Sequence, residues 1–321
     1  SNPATRGSSG SSKVVMRQED RPARNGLKRR SLLAGLAAVT SSWRTTRSAG
    51  AAEKNAFIQV TINGKEEKFP AAVLPGNFAD GFKLPIKEIS GEIFDKLYWQ
   101  DIKDQPTYPF GKKAMKRIDE SDDGQFYNYP RFVYHVDEGA VAALTNYYKT
   151  AIPNSKLDIL DICSSWVSHY PKDFKERMSS IVGTGMNPLE LRANSQLTSF
   201  VARDLNKEPA LPFPDSSFDI VTCVVSVDYL TSPLTIFKEV NRVLKPGGRF
   251  IVSQSNRLFQ TKAVDVWLGY DMDDRLRLIG KYFQYAGDFT TPKAFDISAQ
   301  GKNVLGTQAG DPMYIVEAAK V

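Results

Sequence analysis

Two hydrophobic periods alternate along the chain from about residue 126 onward. Over 138–151 the apolar residues Ala140, Val141, Leu144, Tyr147, Tyr148 and Ala151 recur near every 3.6 positions, which predicts a helix with Asp137 as its N-cap. Short apolar runs at 157–162, 180–183 and 198–203 predict three strands. Between the second and third, Asn187-Pro188-Leu189-Glu190 places Asn at the cap, Pro at the first helical position and Glu at the third, the pattern of a capping box. Residues 218–225 are almost unbroken in apolar character, as expected of a strand buried on both faces. Ser232-Pro233 then opens a helix carrying Ile236, Phe237, Val240, Val243 and Leu244 on one face. Lys245-Pro246-Gly247-Gly248 ends it, and 249–253 predicts a fifth strand. A helical region over 260–285 and strands near 290–297 and 312–319 complete the pattern. Strands alternating with helices over short connections predict a doubly wound, Rossmann-like α/β fold around a mostly parallel, seven-stranded sheet.

The chain upstream reads differently. In 53–125, Ile58, Val60 and Ile62 alternate with polar residues ahead of Asn63-Gly64, a strong two-residue hairpin turn. After Phe69 the sequence is dense in Pro, Gly, Lys and Asp, so this N-terminal extension is expected to be a hairpin plus irregular structure draped on the domain 126–321. It shows no chemistry of its own and offers a surface for a protein partner. Residues 1–52 are rich in Ser, Arg and Gly and lack apolar periodicity, as organelle transit peptides do. Lys28-Arg29-Arg30, the apolar stretch 31–39 and the small residues 48–52 resemble a twin-arginine export signal. Together they resemble the bipartite address of chloroplast proteins bound for the thylakoid lumen; the alternative is a single organelle leader in which Arg29-Arg30 is coincidental.

Charge and composition narrow the function. Hydrophobic residues at 41% exclude a wholly disordered chain of 321 residues, and no apolar run approaches the roughly 20 residues of a transmembrane helix. The net charge of +6 is confined to the leader: 1–52 holds ten Lys/Arg against Glu19 and Asp20, a net of +8, which leaves 6 − 8 = −2 for the body. A nucleic-acid-binding reading therefore loses its electrostatic support. Two cysteines exclude a disulfide scaffold and a multi-cysteine zinc site, and no metal is expected.

Two segments carry a resemblance. Leu211-Pro212-Phe213-Pro214-Asp215-Ser216-Ser217-Phe218-Asp219-Ile220-Val221, with Glu239-Val240-Asn241-Arg242-Val243-Leu244-Lys245-Pro246-Gly247-Gly248-Arg249-Phe250, resembles the class I S-adenosylmethionine-dependent methyltransferases of the type 11 group, over about 127–321. A subgroup of undefined substrate is similar through Tyr129-Pro130-Arg131, His135-Val136-Asp137 and Ser164-Ser165-Trp166-Val167-Ser168-His169. The resemblance implies S-adenosylmethionine as cofactor, in the crevice at the carboxyl ends of the strands, lined by the loops after Ile162, Gly183, Arg203 and Val225. Where the family has a glycine-rich loop this chain has Asp161-Ile162-Cys163-Ser164-Ser165-Trp166-Val167. The hydroxyls of Ser164 and Ser165 offer hydrogen bonds to a carboxylate, and Trp166 must pack inward or wall the site. Gly185 stands where the family has an acidic ribose partner, with Asn187 either a neutral substitute or only a helix cap. Asp204-Leu205 matches the adenine contact. The implied cofactor residues are thus Asp161, Cys163, Ser164, Ser165, Gly185, Asn187, Asp204, Leu205 and Val225. Cys163 and Cys223 sit at neighbouring strand ends in this fold, either as a disulfide or as two buried thiols.

Methyl transfer is an in-line displacement that asks mainly for positioning, with a base only where the acceptor must lose a proton. The two histidines, His135 and His169, are the candidate catalytic residues, as proton acceptors or as loop orienters. Arg131 and Asp137 are candidates to close over the cofactor, Asp137 equally a cap alone. Tyr127, Tyr129 and Tyr134 line an acceptor pocket or belong to the core. The resemblance implies a methyltransferase acting on a small molecule or a plastid component; the alternative is an inactive binding or structural protein that keeps the fold. A nicotinamide-dependent oxidoreductase is disfavoured because no G-x-G-x-x-G follows a strand.

Overall fold

The computed structural model describes residues 56–62, 65–302, 304, 306 and 310–321, so the leader 1–52 and the Asn63-Gly64 turn lie outside the described residues. In chain order the elements are β1 (Phe57–Ile62), β2 (Lys65–Pro70), β3 (Phe82–Lys83), β4 (Lys87–Glu88), α1 (Ser90–Ile93), α2 (Lys96–Asp104), α3 (Asp123–Phe126), α4 (Glu138–Ala151), β5 (Asp158–Ile162), α5 (Phe174–Arg177), β6 (Ser180–Gly185), α6 (Pro188–Ala193), β7 (Ser199–Ala202) and β8 (Phe218–Val224). They continue as α7 (Pro233–Val243), β9 (Leu244–Gln254), α8 (Asp265–Leu268), α9 (Met272–Ala286), β10 (Lys293–Asp296), β11 (Gln300–Gly301) and β12 (Tyr314–Ala319).

Among the described residues the main sheet has eight strands in the order β4-β10-β12-β9-β8-β5-β6-β7. Strands β9, β8, β5, β6 and β7 run parallel, and β12 and β10 run antiparallel to their neighbours. Seven strands form the expected doubly wound sheet; the eighth, β4, is a two-residue edge piece supplied by the extension. The chain steps outward from β5 through β6 to β7, then returns to place β8 on the other side of β5. The switch point, and with it the ligand crevice, therefore lies at the carboxyl ends of β5 and β8.

Several elements differ from the sequence expectation for identifiable reasons. The strand expected over 180–183 continues to Gly185, carried by its pairing with β7. The Lys-Pro-Gly-Gly stretch ends α7 but does not delay the next strand, because β9 begins at Leu244 and the extra residues are absorbed in a register shift between Phe218 and Ile220 of β8. Lys245 then ties the amino-terminal ends of β5 and β8 through Asp158 (3.0 Å) and Asp219 (2.7 Å). The helical region near 260–285 is two helices, since Asp271 caps a fresh start by accepting from the Asp274 amide. Glu190 does not close the capping box; Asn187 alone caps α6, accepting from Leu189 and Glu190.

The extension is more than hairpin and irregular chain. Ile89, Ile93, Phe94, Tyr98 and Met115 join the main apolar core. Gly280 of α9 permits this, because a β-carbon there would stand 2.5 Å from Phe94 and 2.8 Å from the Tyr98 hydroxyl. The hairpin buries Ile58, Val60 and Phe69 against Phe132 and Trp166, beside the loop that follows β5. Among the described residues no helix is long and apolar enough to cross a membrane.

Candidate functional site

At the carboxyl ends of β5, β6, β7 and β8 lies a cavity of about 290 Å³. It brings together Asp161, Cys163, Ser164, Ser165, Gly185, Asn187, Asp204, Leu205 and Val225 with both histidines, His135 and His169. Tyr127, Arg131, Tyr134 and Trp166 also line it, whereas Tyr129 is exposed and packs edge-on to Phe69, and Asp137 lies elsewhere. Asp137 caps α4 through the Ala140 amide and accepts from Gly310 and Asp311, so it fastens the start of α4 to the segment before β12.

The loop after β5 is built without glycine, at a conformational cost. Cys163 (φ 54°), His169 (φ 59°) and Val225 (φ 43°) all take left-handed backbone on the cavity wall, a region non-glycine residues rarely adopt. Asp161 shows what holds the loop there. Its carboxylate accepts from the hydroxyls of Ser164 (2.6 Å), Ser168 (2.7 Å) and Thr222 (2.9 Å), so it is committed to the loop. Burial pushes its carboxyl up to about 6 against those three hydrogen bonds. Trp166 packs inward: its indole N–H donates to the Val133 carbonyl (3.1 Å), and the ring meets Phe132 and Tyr134.

At the end of β6, Gly185 has no room for a side chain, because the Ser164 carbonyl would stand 2.0 Å from its β-carbon. Asn187 lines the cavity with its oxygen capping α6 and its amide donating to Tyr127 and Asn128. The acid that does face this part of the cavity is Glu190, hidden in the sequence by its fit to a capping box. It accepts from the Arg131 amide (2.7 Å) and the Ser165 hydroxyl (2.8 Å), and burial raises its carboxyl above the ordinary range.

Asp204 lines the same cavity. One carboxylate oxygen accepts from the Asn206 and Lys207 amides, while the other, Oδ2, is buried without a hydrogen bond and lies 3.8 Å from the Lys207 ammonium. A carboxylate residue on a cavity wall, followed by the buried apolar Leu205, suits an exocyclic amine attached to a flat heterocycle. The residues present therefore fit the adenosyl end of S-adenosylmethionine.

Two further groups escaped the sequence reading. Asp123, from the extension, lines the cavity and is paired with Arg117 (2.7 Å) and Lys262 (3.1 Å). Burial alone would raise its carboxyl; the hydrogen bonds from Arg117, Asn206 and Lys262 outweigh burial and hold it below the ordinary range. Phe259 lies in the segment before α8, near the boundary of a predicted helix, where nothing in the periodicity marks it. The two histidines differ: His169 is buried, with burial and its neighbour His135 lowering it to about 4, and its Nδ1 has no partner. His135 sits at the rim with part of its surface open to solvent; burial of the rest, and then the Arg131 guanidinium, lower it.

Fold and site together define a doubly wound α/β protein with a nucleoside-sized cavity at its switch point. Residues 161–252 match the family model described as a methyltransferase domain, and that match supports S-adenosylmethionine as the cofactor. The chain is 34% identical over 74 residues to the malonyl-[acyl-carrier protein] O-methyltransferase of Marinomonas sp., covering 23% of this chain and 26% of that one. It is 31% identical over 87 residues to the ubiquinone biosynthesis O-methyltransferase of Pseudomonas aeruginosa, covering 26% and 38%. It is 43% identical over 58 residues to the sterol 4-C-methyltransferase strm-1 of Caenorhabditis elegans, covering 18% and 16%. The matches thus span well under half the length of these relatives. Among solved structures, an S-adenosylmethionine-dependent methyltransferase from Mesorhizobium loti is similar at a TM-score of 0.39 and 15% identity, over 57% of this chain and 99% of that one.

Proposed function

We propose that the chain is an S-adenosylmethionine-dependent methyltransferase acting on a small-molecule acceptor, of a subgroup in which Ser164-Ser165-Trp166-Val167-Ser168-His169 replaces the glycine-rich loop. The observation that carries this reading is the switch-point cavity whose wall sets Asp204 and Leu205 beside the serine loop after β5. Asp204 and Leu205 would hold the adenine, and the loop pinned by Asp161 would shape the methionine end. When bound, S-adenosylmethionine supplies a methyl group on a positively charged sulfur. The protein's part is then to exclude water, to hold the acceptor in line and to take up a proton where the acceptor has one to lose.

Calorimetric titration with S-adenosylmethionine and with S-adenosylhomocysteine tests the reading. Saturable heat with both is expected; no heat and no thermal shift with either at millimolar concentration would overturn it. The leader's composition supports a chloroplast location, with the thylakoid lumen as compartment. Residues 1–52 fused to a fluorescent protein should carry it into the lumen of isolated chloroplasts, and retention outside the organelle would refute the assignment. A protein partner would meet 53–125, where Leu97 and Ile118 are 78% and 71% exposed. Changing both to Ser should abolish a co-purifying partner while leaving nucleoside binding intact.

A further inference from the structure

The part of the cavity beyond Asp204 and the serine loop is built of rings. Phe259 is at its centre: its ring lies 5.4 Å from His135, 6.0 Å from Tyr229 and 5.7 Å from the Arg131 guanidinium. Its position is fixed from behind, because its amide donates to the Tyr229 hydroxyl (2.8 Å). Tyr127 and Tyr134 contribute further half-buried faces.

Most of the charges around these rings are engaged within the protein. Asp161 and Glu190 face hydroxyls and an amide of their own chain, and Asp123 faces Arg117 and Lys262. Arg131 donates to the Phe126 carbonyl and lies over that ring at 4.7 Å, Arg203 pairs with Glu208, and Arg257 pairs with Asp311. An acceptor with a fixed ammonium would enter without a dedicated counter-charge, whereas a negative charge beside Phe259 would meet the Arg131 guanidinium. A neutral flat ring would find apolar and aromatic faces, which gain from stacking beyond the burial of area. His135, exposed at the rim and touching Phe259 edge-on, is placed to take a proton and pass it to water.

Building on the function proposed above, we infer that the acceptor is a hydroxylated aromatic ring that packs against Phe259 and gives its hydroxyl proton to His135. In that step the O–H bond breaks towards the imidazole and the ring oxygen forms a bond to the methyl carbon. The sulfur–methyl bond breaks with its electron pair kept on sulfur, so the positive charge passes from sulfur to His135 and then to solvent. His169, buried behind the rim, orients the wall and holds no proton at neutral pH.

The test is binding to the full chain, followed by nuclear magnetic resonance of the imidazole protons, which only His135 and His169 contribute. Phenol, catechol and 2-naphthol are titrated beside cyclohexanol, cyclohexane-1,2-diol and 2-decalol. At least one aromatic member should bind tenfold or more tightly than its saturated counterpart and displace the His135 signals by ring current. Phe259→Leu should cut that preference to threefold or less while keeping the thermal midpoint. Equal binding of the two series, binding that leaves His135 unmoved, or no aromatic binding at all would each overturn the inference. S-adenosylhomocysteine titrated in parallel separates the two readings: if it fails to bind, the methyltransferase reading falls, and if it binds while the rings do not, only the acceptor class falls.

Discussion

The carbonyl oxygen of Ser164 crosses the end of β6 so closely that a β-carbon on Gly185 would stand 2.0 Å from it. The same Ser164 donates its amide to the Thr184 carbonyl (2.8 Å), so the loop is stitched to the strand on both sides of the contact. A backbone atom cannot swing aside as a flexible side chain does. Gly185→Ala should therefore displace the loop and lower stability by about 3 kcal/mol, the upper end of what overpacking costs. Urea denaturation of wild type and variant reads this directly, and an unchanged midpoint would contradict the contact.

That contact also shows where sequence reasoning stopped. Periodicity and turn chemistry were enough to place β5 to β9, because strands buried in a parallel sheet and an Asn-Pro helix start are local signals. The absence of glycine after β5 was equally visible, yet its consequence was not. Whether Asn187 is a cap or a ligand depends on Tyr127 and Asn128, about 60 residues away, and the committed state of Asp161 depends on Thr222 in another strand. Glu190 looked like half of a capping box and instead reaches Arg131 and Ser165. Side-chain partners distant in sequence leave no periodic trace, so the lining was readable and its hydrogen bonding was not.

Asp204 offers a substitution that separates binding from folding. Its Oδ1 accepts from two backbone amides, and Asp204→Asn keeps an oxygen for them while replacing Oδ2, whose nearest charge is the exposed Lys207 ammonium at 3.8 Å, by an N–H₂ group. Stability should change little. Affinity for S-adenosylhomocysteine should fall by about 1–3 kcal/mol, roughly five- to 150-fold, because a donor then faces a donor. Calorimetry showing unaltered affinity would remove the adenine from this corner of the cavity.

Asp123, Arg117 and Lys262 form a buried charge cluster between the extension and the main domain. The Lys262 side chain is 0% exposed, and its ammonium meets Asp119 (3.0 Å) and Asp123 (3.1 Å). Removing one partner of a buried pair leaves an uncompensated charge. Asp123→Asn should cost about 3 kcal/mol, and adding Lys262→Met should recover part of that loss. A double variant no more stable than the single one in chemical denaturation would argue against coupling between the two side chains.

Cys163 and Cys223 are free thiols, and the neighbouring Cys163 together with burial pushes the Cys223 thiol up. Cys163 is partly exposed on the cavity wall, whereas Cys223 is fully buried in β8. Iodoacetamide should label Cys163 first in the native protein and Cys223 only on unfolding, since the thiolate is the reactive form. In denaturant without reductant, mass spectrometry should find both labelled. Two unlabelled cysteines would mean a disulfide between β8 and the loop after β5.

Stability against pH isolates one buried acid. Asp228 is fully buried, neither carboxylate oxygen finds a hydrogen-bond partner, and burial pushes it up to about 8 from an ordinary 3.8. Between those values the folded chain keeps a proton that the unfolded chain has released, so the contribution of Asp228 is lost as pH rises. Asp161, raised to about 6, acts in the same sense but is exhausted above that pH. His169, lowered to about 4 from 6.5, has the opposite sign: its stability is present above 6.5 and lost as pH falls. Below pH 6.5 these effects oppose each other, and above it Asp228 acts alone among the three. Unfolding free energy should therefore drop by about 2 kcal/mol between pH 6.5 and 8, at 1.36 kcal/mol per unit. Asp228→Asn should flatten that limb in urea melts taken across the window, and a limb of unchanged slope in the variant would show that Asp228 does not hold its proton in the fold.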